Sequence, residues 1–155
     1  MIFLVKKFIL FLGIILSLMP ADTVFAAERL GFDEMYSGWS GGALVLSDKL
    51  KSLEGQDVTV TGYMAPPLTP TIRFFVLTEV PMSVCPFCSS DADWPDNIIV
   101  VKVDDPVTAL PYDAPISVTG PLEIGSESDE ETGFVSQLRI RARDISTPVS
   151  YTHLR

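Results

Sequence analysis

The sequence predicts a mainly β domain, a small five-stranded barrel behind an N-terminal amphipathic helix. Three observations predict it. After Gly55 the apolar period changes from about 3.6 residues to 2. Five alternating or β-rich runs follow, with turn signals between them. Two of those runs end on glycine in the same way, Val58-Thr59-Val60-Thr61-Gly62 and Ile116-Ser117-Val118-Thr119-Gly120. A length of 155 residues fits one domain, and an apolar fraction of 47% is enough for one packed core.

The chain opens with a leader. Lys6 and Lys7 precede the apolar run Phe8–Met19, and Pro20 and the small-residue exit Val24-Phe25-Ala26-Ala27 follow. That is the order of a secretory signal peptide, expected to span residues 1–26 with cleavage after Ala26. The run is short of the roughly 20 apolar residues a spanning helix needs, and no cysteine stands near the cut to take a lipid. A periplasmic or secreted mature chain is expected. At the other end Val149–Arg155 resembles a translated sequencing adapter, so residues 149–155 are set aside as a tail and His153 receives no role.

The mature elements are read in order. In the N-terminal segment, residues 27–42, Phe32, Met35, Tyr36 and Trp39 recur every three or four residues, which suggests a short docked helix. Leu46, Leu50 and Leu53 then fall at i, i+4 and i+7 ahead of Gly55, which predicts an amphipathic helix over Ala43–Leu53. It opens the domain of residues 43–148. The strands are expected at Asp57–Tyr63, Ile72–Glu79, Ile98–Val103, Pro115–Ile124 and Gly133–Ile145. A glycine ending an alternating run marks a bulge or a bend. Five strands, two of them bent at Gly62 and Gly120, describe an OB-like barrel, with a five-stranded sandwich as the competitor.

Charge and residue counts exclude several function classes. Twenty acidic residues stand against 11 basic ones, and removal of the leader leaves a formal charge of −10. Nucleic-acid binders need cations to neutralise phosphates, so no nucleic-acid partner is expected. One histidine and no Gly-rich phosphate loop leave hydrolysis and group transfer without support, and no small-molecule substrate is indicated. A non-enzymatic protein is expected. The acidic run Gly125–Gly133 reads as a solvated hairpin tip. Arg139, Arg141 and Arg143 alternate along one strand face, where carboxylates of neighbouring strands are expected to pair with them.

Chemistry concentrates in Pro81–Asn97, which holds Cys85 and Cys88 as a C-x-x-C pair between two strong strands. Three readings stay open. An exported thiol pair forms a disulfide by default, although so short a loop gains little from the crosslink. Two thiolates are also half of a tetrahedral zinc site, with Asp91, Asp93 or Asp96 as oxygen ligands. Met82, Cys85 and Cys88 form a soft set that suits Cu(I) as well. Redox exchange ranks third, because Pro95 stops any helix that would lower the first thiol's pKa. Beside this segment, Tyr63, Met64 and Leu68 of Gly62–Leu68 are candidates for an apolar, partner-binding rim, with barrel-end packing as the plainer reading. Trp94 is a further partner-binding candidate, with loop packing as the plainer reading.

GYMAPPL at Gly62–Leu68 and CPFCSSDADWP at Cys85–Pro95 are the most specific stretches of a wider resemblance over Gly31–Val103. The chain resembles the bacterial exported domain-of-unknown-function family 3299 and its relatives. That resemblance implies an OB-type barrel and an ABC-type permease or other membrane transport component as partner. It also raises the metal reading of Cys85 and Cys88, zinc first. The resulting expectation is an exported accessory protein that handles a transition metal through Cys85, Cys88, Asp91, Asp93 and Met82. The alternatives are a periplasmic thiol–disulfide protein and an interaction module with a purely structural bridge.

Overall fold

The computed structural model describes residues 26–67, 71–83, 94–130 and 132–147. The leader up to residue 25 and the tail from 149 lie outside them, as do Leu68, Cys85, Cys88, Asp91 and Asp93.

The protein is mainly β. The strands are β1 (Glu28–Arg29), β2 (Tyr36–Ser40), β3 (Ala43–Leu46), β4 (Asp57–Met64), β5 (Thr71–Thr78), β6 (Ile98–Thr108), β7 (Pro115–Ser128), β8 (Val135–Arg141) and β9 (Asp144–Ser146). A 3-10 turn at Phe32–Glu34 and one short helix, α1 (Asp48–Ser52), complete the described elements. The strands form a mixed seven-stranded sheet in the order β1-β4-β5-β6-β8-β7-β9, while β2 and β3 form a separate two-stranded ribbon.

Pairing runs in a ring. β4 pairs antiparallel with both β5 and β7, β5 with β6, and β7 with β8; β6 and β8 pair in parallel. All five strands of the ring coincide with runs expected from the sequence. The alternation explains why. In β7, Ile116, Val118, Gly120 and Leu122 turn inward, and in β4 Val58, Val60, Gly62 and Met64 do so. β6 opens instead with four consecutive buried residues, Ile98–Val101, and strands covered on both faces read as unbroken apolar runs.

Gly62 and Gly120 mark close backbone approach. A Cβ on Gly62 would stand 2.5 Å from the Thr78 carbonyl, and one on Gly120 would strike the backbone of Arg141. Neither residue has a positive φ, so space is what requires glycine here. At these two points β4 is pressed against β5, and β7 against the end of β8.

The N-terminal region corrects two expectations. Residues 28–42 hold the 3-10 turn and β2 in place of a docked helix, and Ala43–Leu46 is a strand rather than the first turn of an amphipathic helix. Gly41 and Gly42, with φ of 61° and 84°, reverse the chain and fold β2 onto β3, while Gly38, with φ of 136°, lies at the irregularity within β2. The helix starts only after Ser47, whose hydroxyl accepts from Leu50 N at 3.0 Å as an N-cap. The leucine spacing was still informative: Leu50 and Leu53 are buried and Leu46 packs against the same core. Leu30, Phe32 and Met35 join that core too.

Candidate functional site

The cysteine-bearing segment is the connection of the β5–β6 hairpin. Thr78 pairs with Ile98, and Glu79 N donates to Asn97 O at 3.1 Å, so the strands stay in register up to the segment's two ends. Thr78 is fully buried. Its hydroxyl donates to the Val80 carbonyl at 2.8 Å, with the Tyr63 carbonyl 3.2 Å away. The first residues of the segment are thereby tied to the end of β4.

The returning end is tied as well. Trp94 Nε1 donates to the Tyr36 hydroxyl at 2.8 Å. Burial pushes the Tyr36 phenol up to about 12, against the opposing effect of the Trp94 hydrogen bond and with help from the Asp96 charge. Trp94 packs between the main core and a second apolar cluster of Ala65, Val76, Ile98 and Val100. That cluster lies on the opposite face of β5 and β6 from Phe75, Leu77, Ile99 and Val101. Phe74 and Phe134 flank it with ring centres 5.8 Å apart. Sequence reasoning placed Trp94 in loop packing but did not reach its bond to Tyr36. The unbroken run Ile98–Val101 was the available signal that the hairpin base is covered on both sides.

The remaining candidates separate. Met82 is half-buried. Tyr63 is half-buried and pairs with both Thr78 and Pro115 at the hairpin base. Met64 is 1% exposed and its Sδ accepts from Leu110 N at 3.4 Å, so this side chain belongs to the core and not to a rim. Cys85, Cys88, Asp91, Asp93 and Leu68 lie outside the described residues, and so does their mutual geometry. Among the described residues no three His, Cys, Asp or Glu side chains come together as a metal site.

The arginine stripe has the partners the sequence suggested. Arg139, 5% exposed at its side chain, lies 3.3 Å from Glu123 and 3.2 Å from Glu127, and donates to the carbonyls of Gly125 and Ser136. Arg141 reaches Glu123 and Asp104, and Arg143 pairs with Asp57 at 2.6 Å. Lys102 also bonds Glu127 and holds its carboxyl below the usual range. Opposite charges are interleaved here, and the cluster stitches β6, β7 and β8 together rather than offering a cationic surface.

No protein-family model matches the sequence, and no curated protein does. Among solved structures the chain is similar to a DUF3299 family protein (PA4066) from Pseudomonas aeruginosa PAO1. The likeness has a TM-score of 0.51 at 16% identity, over 80% of this chain and 97% of that one. It is a likeness of fold, and it supports the resemblance carried by GYMAPPL and CPFCSSDADWP.

Proposed function

We propose that the ring β4-β5-β6-β8-β7 is an OB-like barrel serving as a non-enzymatic binding module, with the cysteine hairpin as its working element. Five strands closed by the β4–β7 pairing, with β6 and β8 parallel, support the barrel reading. In this reading Cys85 and Cys88 hold a transition metal, zinc first and Cu(I) as the softer alternative, with Asp91 or Asp93 supplying oxygen. The leader makes the protein an exported one, and its partner is a component of a membrane transport system.

The observation that carries the reading is the anchoring of the segment. A long connection in a small β domain is more often functional than a short turn. This one is fastened at both ends, by Thr78 to Val80 and by Trp94 to Tyr36. Fixed ends narrow the positions open to the two thiolates, and preorganised donors favour a closed metal site.

Competition for zinc with a chromophoric chelator, under reducing conditions, tests it. Wild type should hold zinc. Cys85→Ser/Cys88→Ser should lose more affinity than the roughly 10- to 100-fold that changes around a metal's ligands cost. Asp91→Asn and Asp93→Asn identify the oxygen donor by a smaller loss. Equal, weak zinc binding by wild type and the double variant would overturn the proposal.

A further inference from the structure

We propose that two copies of this chain associate in solution by pairing their β3 edges antiparallel about a two-fold axis, so that the two β2–β3 ribbons form one four-stranded sheet. The inference starts from how sheet edges are protected. An open edge presents unpaired backbone groups, and proteins blunt it with charge, proline, bulges or very short strands. The seven-stranded sheet does so: β1 is two residues long and both are charged, and β9 is three residues opening on Asp144. β2 carries an irregularity between Tyr36 and Gly38 that disturbs its own free edge.

β3 is four residues long, but it has no charge, proline or bulge to blunt its edge. Ala43–Leu46 contains no charge and no proline, its pairing with β2 is regular over Ala43–Val45, and no other described strand pairs with it. The charge-free stretches of the seven-stranded sheet in β4, β5, β6 and the first half of β7 belong to strands that each pair with two neighbours. The ribbon also hangs beyond the core. Tyr36 and Leu46 pair and pack against the core, while on the same face Trp39 pairs with Leu44 and is 61% exposed. A two-stranded sheet by itself is marginal, so an added strand stabilises it.

The occupant follows from charge. A chain of formal charge −9 repels its own copies over most of its surface. Residues 35–47 contain no Asp, Glu, Lys, Arg or His, so two copies meet there without bringing like charges into register. The strand that suits the edge is short, apolar and uncharged, which β3 of a second copy is. A symmetric contact of one strand with itself closes at two chains.

Sedimentation velocity over a concentration series tests this, with Val45→Lys and Val45→Glu as variants. Val45 is half-buried and lies outside both apolar clusters. A two-fold axis through a four-residue strand brings the two substituted positions close together. Wild type is expected to dimerise reversibly. Each variant should raise the dimer dissociation constant at least about tenfold, through like-charge juxtaposition, and an equimolar mixture of the two should restore association. A wild-type monomer at every concentration overturns the proposal, as does a dimer indifferent to both variants. A monomer whose tryptophan emission shifts on adding phosphatidylcholine vesicles, with the shift lost in Trp39→Phe, overturns it in favour of a lipid surface.

Discussion

Gly120 sits where β7 passes the end of β8, with the Arg141 backbone in the space a side chain would need. Gly120→Ala must push two paired strands apart, and overpacking of this kind costs about 1–3 kcal/mol or more; urea denaturation should show a lower midpoint with an unchanged slope. Arg139 has the opposite problem. Its removal leaves Glu123 to Arg141 and Glu127 to Lys102, and takes the donor from the Gly125 and Ser136 carbonyls, so Arg139→Met should cost about 1–3 kcal/mol by the same measurement. The carboxyl of Glu127, held below its usual range by Lys102, contributes to the response to acid. A carboxylate with a lowered folded-state pKa contributes stability above its ordinary value of 4.5, and that contribution disappears as pH falls through the folded pKa. Glu127→Gln should therefore flatten the loss of stability below pH 4.5. Tyr36 acts at the alkaline end. Its folded pKa is raised from 10.0 to about 12, so its contribution is complete below 10 and is lost as pH rises towards 12. Absorbance titration should find one tyrosine ionising near 12, and Tyr36→Phe should remove it. At this scale the sequence was legible where pattern alone sufficed. Alternation put Arg139 and Arg141 on one face of β8, where they share Glu123, while Arg143 lies past the strand's end and pairs with Asp57 of β4; two matching runs singled out Gly62 and Gly120. The Tyr36–Trp94 bond was not legible, because it joins residues 58 apart through the tertiary fold.

Elements show where local pattern misleads. Leucines at i, i+4 and i+7 describe a helix over Ala43–Leu53, yet they are also satisfied by a strand that ends on Leu46 and a helix that carries Leu50. The deciding signals were Gly41-Gly42, which turn the chain, and Ser47, which caps α1. Ser47 also donates to Glu34 O at 2.5 Å, joining the helix start to the 3-10 turn. Ser47→Ala should destabilise by about 1–2 kcal/mol in chemical denaturation, a typical cap loss. The cysteine hairpin was located correctly because its flanks are strong β runs. Its seating was not, since the cluster beneath Trp94 is built from β4, β5 and β6 together.

At the scale of the whole molecule, the mainly β reading holds: all five runs expected from the sequence are strands of one mixed seven-stranded sheet, and the structural likeness extends over most of both chains. The short β1, β2, β3 and β9 were beyond sequence reading, because strands of two to five residues carry too few positions for a period to show. The proposed function rests on two thiols in a segment whose two ends are hydrogen-bonded to the fold. The most direct measurement is metal and free-thiol content of the protein isolated without chelator from its native host. The metal proposal predicts about one zinc or copper per chain, with both cysteines titratable as thiols once the metal is withdrawn. No metal, and no thiol until a reductant is added, would contradict it and leave Cys85 and Cys88 as a disulfide.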